Sequence, residues 1–474
     1  MRICVILEGC YPYVTGGVSS WIHQYMKAMP QHEFIVWAVG ADASTRGQFK
    51  YEVPDNVVEV RELFLDEALS MRYAREKYRF QQEEIQALRE FINCGNPDWE
   101  LLFRMYHDRG ISPVAFLMSE EFLEILTEIC RKEYPYTSFS DFFHTVRSML
   151  LPVLYVLRSD VPKADMYHAI ATGYSGILAR LGSYVYHVRY EISEHGIYTR
   201  EREEEIIRAG WVLPAFKRTW VRFFYMLSNG AYEKASMITS LFDRALEIQV
   251  EMGCDREKCR YIPNGIHYEV FSKIPAKKEN GYVDIGAVLR ISPIKDVKTL
   301  LYAFSQLKER IPNARLHIAG PADDKEYAKE CYDLAKQLGT EDIYFLGTVN
   351  TQEYLQKFDF TVLCSISEGL PLAVLESFAA GRPCVVTDVG CCRQLIHGMR
   401  GDELGEAGIC VPPMFREELC NAMERMCTHP RERYQMGITA RKRVEQYFRH
   451  EDMIHSYQQV YDEVFRRWQE SDSV

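Results

Sequence analysis

Short runs of Ile, Val, Leu and aromatic residues recur along the chain, each broken by glycine, proline or polar residues before a stretch with helical spacing. Such runs predict strands at Ile3–Leu7, Phe34–Val39, Asp165–Ile170, Tyr184–Arg189, Ala235–Ser240 and Cys259–Pro263 in the first half. In the second half they predict strands at 283–289, 314–319, 343–346, 360–364 and 383–387. Helices are expected through Ser20–Met29, over a tract at about 200–234, and at the end of the chain, about 449–469. Near-continuous apolar strands alternating with helices are what parallel sheets covered on both faces require. The pattern predicts an α/β chain: two doubly wound, Rossmann-like domains facing a cleft.

One region breaks the rhythm. From about 65 to 160, strand-like runs are sparse, and "YAREKYRFQQEEIQALREFI" and "SEEFLEILTEICRKEY" carry helical spacing. This reads as a helical insertion in the first domain; its charged runs read as solvated helix faces, with a partner-docking surface as the other reading. The polar, turn-prone "PAKKENGY" at 275–282 marks a linker. The expected division is an N-terminal domain at 1–274, a C-terminal domain at 275–448, and a terminal helix at 449–474 packing back on the first domain. No internal repeat is evident.

A chain of 474 residues is too long for one core. The net charge of −11 argues against general nucleic-acid binding. No apolar run approaches the ~20 residues of a membrane span. The start, "MRICVILEGC", reads as a first core strand rather than a signal peptide, so a cytoplasmic protein is expected. The 14 cysteines are scattered without a Cys-x-x-Cys pair, which fits core thiols better than disulfides or zinc.

The candidate chemistry lies where strands end. In "SEGLPLAVLESFAAG", Pro371 suits the first position of a helix that Gly381 stops. The loop before it follows the apolar run at 360–364, beyond a strand's carboxyl end. Gly369 and the free amides of the helix start accept anionic oxygens, while carboxylates at Glu368 and Glu376 accept hydrogen bonds from hydroxyls. The implied ligand is a polyol that carries phosphate. Arg290 and Lys295 follow the strand at 283–289; they either balance a departing diphosphate or make a solvated basic loop. Gly16 and Gly17 precede a helix and permit a phosphate or hydroxyl nearby, although a plain turn accounts for them equally well. His195 follows the predicted strand at 184–189 and offers a hydrogen bond whose charge state changes near neutral pH; a core or capping histidine is the plainer reading. The dinucleotide pattern Gly-x-Gly-x-x-Gly is absent, which weighs against a nicotinamide oxidoreductase.

Taken together, Arg290 and Lys295, the Glu368-x7-Glu376 spacing, "IPNGI", "GRP" at 381–383 and "TDVG" at 387–390 resemble the retaining GT-B glycosyltransferases of glycosyltransferase family 4 over roughly 260–450. The segments "ILEGCYPYVTGGVSSWIHQ" and "SEHGIYTRERE" look like the PelF-type Pel exopolysaccharide synthases. The resemblance implies hexosyl transfer, glucose first, from a UDP-sugar to a growing polysaccharide, with retention and no cofactor. No Asp-x-Asp metal motif of the expected kind appears, "ADD" at 322–324 being a weak imitation, so metal independence is expected. The resemblance also implies that Arg290 and Lys295 neutralise the diphosphate and that Glu376 holds the ribose. Glu368, with the amides of Gly369 and Leu370, would hold the donor sugar. His195 would contact the transferring sugar, and Gly16 and Gly17 would border phosphate and acceptor. His267 departs from the Asp many relatives carry. The implied partners are the nucleotide sugar, the polysaccharide and an export complex that would hold the enzyme at the inner face of the membrane. The rivals are a family 4 transferase with another donor or a lipid or small-molecule acceptor, and a non-catalytic nucleotide-sugar-binding subunit.

Overall fold

The computed structural model describes residues 1–72 and 78–471, and side chains to residue 466. Contacts divide the chain into two units: Met1–Tyr261 together with Gln458–Val474, and Ile262–Tyr457.

The first unit is built on seven parallel strands. These are β1 (Arg2–Glu8), β2 (Glu33–Gly40), β3 (Val57–Phe64), β4 (Met166–Ala169), β5 (Tyr190–Glu194), β6 (Met237–Ser240) and β7 (Cys259–Tyr261). Their order is β3-β2-β1-β4-β5-β6-β7, so the winding reverses between β1 and β4, where Ile3 pairs with Phe34 on one side and Met166 on the other. The second unit has six parallel strands: β8 (Val283–Val288), β9 (Ala314–Ala319), β10 (Ile343–Gly347), β11 (Phe360–Leu363), β12 (Cys384–Thr387) and β13 (Gly408–Val411). Their order is β10-β9-β8-β11-β12-β13, with the reversal between β8 and β11. Both sheets are doubly wound, as the apolar runs predict.

The segment between β3 and β4 is helical, with its longest helices at Glu120–Glu133 and Phe139–Val156. Phe91, Trp99, Phe116, Phe122 and Val146 join the same buried core as Ile6 and Trp37 of the sheet, so these amphipathic helices extend the core rather than form a separate one. The first of them starts at Gln82, where Glu84 reaches back 2.8 Å to the Gln81 amide in a capping box. Residues 73–77 of the expected helix lie outside the described residues.

The strand predicted at Tyr184–Arg189 is corrected. Residues through Tyr186 close the helix Gly173–Tyr186, His187 ends it in the left-handed conformation at φ 55°, and the strand follows at Tyr190–Glu194. Packing of that helix against the sheet outweighs the strand preference of Tyr184-Val-Tyr. Two strands have weak signals. β3 alternates charged residues at a partly exposed edge, and β13 is four residues long.

In the second unit the core gathers Ile285, Phe304, Leu316, Val362 and Val385. Arg443 and Asp402 form an ion pair at 2.6 Å with both side chains fully buried. Carbonyls of Leu395, Ile396 and Gly405 take the remaining guanidinium protons. The last helix, His450–Ser471, contributes Tyr461 to the first unit, where its hydroxyl lies 2.7 Å from His168 Nδ1. Among the described residues no helix is long and apolar enough to cross a membrane, and all 14 cysteines are free.

Candidate functional site

In the second unit the site is built where the winding reverses, beyond β8 and β11. The chain leaving β8 crosses the end of β9: Leu289 N–H donates to Ala319 at 2.9 Å, and Ile291 N–H to Pro321 at 2.8 Å. Gly320 makes the crossing possible, because a Cβ there would stand 1.8 Å from the Leu289 carbonyl oxygen. A turn at Pro293–Lys295 then leads into the helix Val297–Arg310, capped by Asp296. This loop is fastened to the one after β11: Ile366 N–H donates to Ile294 at 2.8 Å, and Cys364 Sγ lies 3.1 Å from the Lys295 carbonyl.

The fastening brings Lys295 Nζ to 2.5 Å from Glu368 Oε1, with the side chains 16% and 10% exposed. Ser365 Oγ donates to the same oxygen at 2.5 Å. The Glu368 backbone is held from behind by the "TDVG" turn. A Cβ on Gly390 (φ 54°) would stand 2.2 Å from the Glu368 carbonyl, and Cys391 N–H donates to Gly369 at 3.1 Å. Pro371 sits at the cap position and the helix runs Leu372–Ala379, one residue later than the sequence suggests. The amides of Gly369, Leu370, Leu372 and Ala373 donate to no described acceptor, leaving an electropositive helix start open. Glu376 lies partly buried on this helix, and its carboxylate makes no hydrogen bond or ion pair with a described residue. Burial raises its carboxyl to about 7.

Arg290 does not share a partner with Lys295. Its half-exposed guanidinium pairs with Asp323, while Asp324 caps the helix Lys325–Leu338. Both acidic residues of the segment at 322–324, Asp323 and Asp324, are thus engaged with neighbours. Among the described residues no group of three or more His, Cys, Asp or Glu is arranged to hold a metal ion.

In the first unit, Gly16 and Gly17 open the helix Gly17–Lys27, with no atom within 4 Å of where a Cβ would stand on either. His195 directly follows β5, and Trp21 packs edge-on to it at 4.2 Å between ring centroids. Burial pushes the His195 pKa down to about 3, so the ring is neutral at physiological pH and does not change charge near pH 7, contrary to the sequence expectation. Its Nε2 is buried without a hydrogen-bond partner.

Residues 1–257 match the family described as "Domain of unknown function (DUF3492)", and residues 283–429 match "Glycosyl transferases group 1". The chain belongs to the DUF3492 family, and within its second unit the matched stretch is similar to group 1 glycosyltransferases. It is 24% identical over 282 residues to the MMP alpha-(1->4)-mannosyltransferase of Mycolicibacterium hassiacum, covering 58% of this chain and 65% of that protein. It is 27% identical over 250 residues to the N-acetyl-alpha-D-glucosaminyl L-malate synthase of Bacillus anthracis, covering 49% of this chain and 61% of that protein. The matched stretches thus span under two thirds of these relatives. The crystal structure of Anabaena HepE in complex with UDP and glucose superposes with a TM-score of 0.59 at 14% identity, covering 97% of this chain and 99% of that one. At that identity the likeness establishes the GT-B fold.

Several residues of this DUF3492 chain carry more than their motifs suggest. Arg382 of "GRP" is buried and donates to the carbonyls of Pro275, Leu355 and Ala380, which makes it a structural clamp. "IPNGI" is a junction: Ile266 bridges to Arg449, and His267, at a cap position, packs its ring tilted at 43° against that of His450, 4.2 Å between centroids, instead of capping with its side chain. Glu8, the last residue of β1, escaped the sequence reading. Its oxygens accept hydrogen bonds from the Tyr198 hydroxyl at 2.9 Å and the Tyr174 amide at 3.1 Å. A carboxylate ending an apolar first strand was the available signal.

Proposed function

We propose that this protein transfers a hexosyl group, glucose first, from a UDP-sugar to a growing Pel-type exopolysaccharide, with retention and without a metal. The observation that carries the reading is the Lys295–Glu368 pair beyond the ends of β8 and β11, followed by a helix that carries the Glu376 carboxylate without a described side-chain partner. The UDP in the HepE complex and the glycosyltransferase names of the relatives support a nucleotide-sugar donor. The Pel assignment rests on the "ILEGCYPYVTGGVSSWIHQ" and "SEHGIYTRERE" resemblance.

In this reading the bound donor exchanges contacts already present. Lys295 turns from Glu368 to the diphosphate, and Arg290 turns from Asp323 to the same group. Glu368, freed, accepts a hydrogen bond from a sugar hydroxyl, and Glu376 accepts from the ribose. The open amides of Gly369 and Leu370 face the developing negative charge. His195, neutral, offers a nitrogen to the transferring sugar, and Gly16 and Gly17 leave room for phosphate and acceptor. The anomeric carbon–phosphate oxygen bond breaks as the acceptor oxygen bonds to the same face, and the acceptor proton passes to the departing phosphate. No protein nucleophile is invoked, unlike the paired carboxylates of retaining glycosidases.

Calorimetric titration of UDP, ADP and GDP and their glucose conjugates into the wild type and Lys295→Ala tests this. The expected result is selective binding of UDP and UDP-glucose, weakened in the variant. Preference for another nucleotide would replace the donor. Binding without UDP release in the presence of any acceptor would mark a non-catalytic subunit. An unchanged titration in Lys295→Ala would refute the site.

A further inference from the structure

The doubly wound sheet of the first unit reverses between β1 and β4, and a cavity of about 190 Å³ opens there, lined by Glu8, Cys10, Glu194, His195, Tyr198 and Arg202 among others. It lies below the ~300–1,000 Å³ of drug-sized sites and suits a single small ring. The 14-residue helix Gly173–Tyr186 starts nearby, and helix starts at such reversals are where doubly wound sheets bind phosphate.

Here that position is already filled by the chain itself. Glu8 Oε2 accepts from the Tyr174 amide at 3.1 Å. Its other oxygen is held by the Tyr198 hydroxyl at 2.9 Å. A phosphate entering the cavity would need the same amide and would meet a carboxylate already seated on it.

Arg202 is the one cationic side chain among the described residues of the lining. It pairs with Glu205 at 2.8 Å and lies 5.2 Å over the Tyr198 ring, with its Nε buried and without a described partner, and the carboxylates of Glu8, Glu194 and Glu201 outnumber it. Glu194 takes hydrogen bonds from Gln249 Nε2 at 2.7 Å and from the Tyr232 hydroxyl, and Glu201 adds a third carboxylate to the wall. Two polar atoms of the lining have no described partner: Nε2 of the neutral His195, assigned above to the transferring sugar, and Arg202 Nε, whose N–H suits an acceptor hydroxyl.

We infer that the first unit takes an uncharged, hydroxyl-bearing acceptor end and rejects a phosphorylated one, with Glu8 as the residue that sets this specificity. The inference rests on the glycosyltransferase reading for the word acceptor, but the binding preference can be measured without turnover.

The test is a ligand-observed NMR titration of the full chain, saturated with UDP, using glucose and glucose 6-phosphate as probes. The wild type is expected to bind glucose more tightly than glucose 6-phosphate by about tenfold or more, the cost of placing like charges together. Glu8→Gln keeps the shape and removes the charge; it should narrow the ratio to about threefold or less by gaining affinity for glucose 6-phosphate. Tyr198→Phe removes one hydrogen bond but keeps the carboxylate, and should keep the wild-type ratio. Thermal melts of all three confirm folding. Equal or tighter binding of glucose 6-phosphate by the wild type overturns the inference. So does the absence of glucose binding, an unchanged ratio in Glu8→Gln, or an equal shift in Tyr198→Phe. UDP release from UDP-glucose by the same preparation reads the transferase proposal separately, because a preference without turnover removes only that proposal.

Discussion

Lys295 Nζ lies 2.5 Å from Glu368 Oε1, joining the loop after β8 to the loop after β11 across the point where the second sheet reverses. The pair is mostly buried, and Ser365 holds the same carboxylate oxygen. In the proposed reaction, a ligand with both phosphate and hydroxyl groups would take one partner each.

Removing the cation should therefore affect turnover more than folding. Lys295→Ala is expected to lower kcat by about 10²–10³. Ser365 still bonds Glu368, so unfolding free energy should fall by only about 1–2 kcal/mol. UDP-release kinetics and urea titrations check the two halves. A double-mutant cycle with Glu368→Ala should be non-additive, because the two residues share one contact.

Glu376 gives a pH dependence of definite sign. Its carboxyl is raised from 4.5 to about 7 by burial, so between those values the native chain binds a proton that the unfolded chain has released. This contribution to stability is full below pH ~4.5 and is lost as pH rises through about 7. Glu376→Gln should remove that slope and stabilise the protein at pH 8 by about 2 kcal/mol. UDP binding should follow the opposite trend in the wild type, tightening as the carboxylate ionises near pH 7. Denaturant melts and UDP titrations from pH 5 to 8.5 read both trends.

The buried Arg443–Asp402 pair supports the second unit rather than the chemistry. Arg443→Met or Asp402→Asn alone should cost about 3–5 kcal/mol, because each leaves an uncompensated buried group. The double variant should cost less than the sum of the two. Equilibrium unfolding of the three variants checks this.

Two glycines should behave differently. Gly390→Ala places a Cβ 2.2 Å from the Glu368 carbonyl at φ 54° and should displace the loop, lowering kcat/KM by about 10² and reducing stability. Gly17→Ala meets nothing within 4 Å and should melt like the wild type. Loss of activity in Gly17→Ala at an unchanged melting temperature would mean that the ligand, not the fold, needs that space.

Much of this architecture was legible in the chain. The apolar runs locate most strands of both sheets, because a strand buried on both faces has to be apolar throughout. The reading failed where burial was partial or packing overrode preference. β3 hides its pattern behind Glu59, Arg61 and Glu62, and Tyr184-Val-Tyr was drawn into a helix by its neighbours. Lys295 and Glu368 were each visible as candidates, but their pairing depends on loops 73 residues apart. The same limit applies to Arg290, whose partner Asp323 lies on a different loop. Glu8 was hidden because its partners, Tyr174 and Tyr198, lie far along the chain, and the neutrality of His195 follows from burial that no local motif encodes.

The most direct test is UDP release from UDP-glucose, with acceptor, in EDTA and then in added manganese, for the wild type and for Arg290→Ala/Lys295→Ala. If fixed side-chain cations and a helix start balance the departing diphosphate, chelation leaves the wild-type rate unchanged and the double variant loses about 10²–10³ or more of it. Turnover that disappears in EDTA and returns with manganese, or that persists in the double variant, would contradict the account.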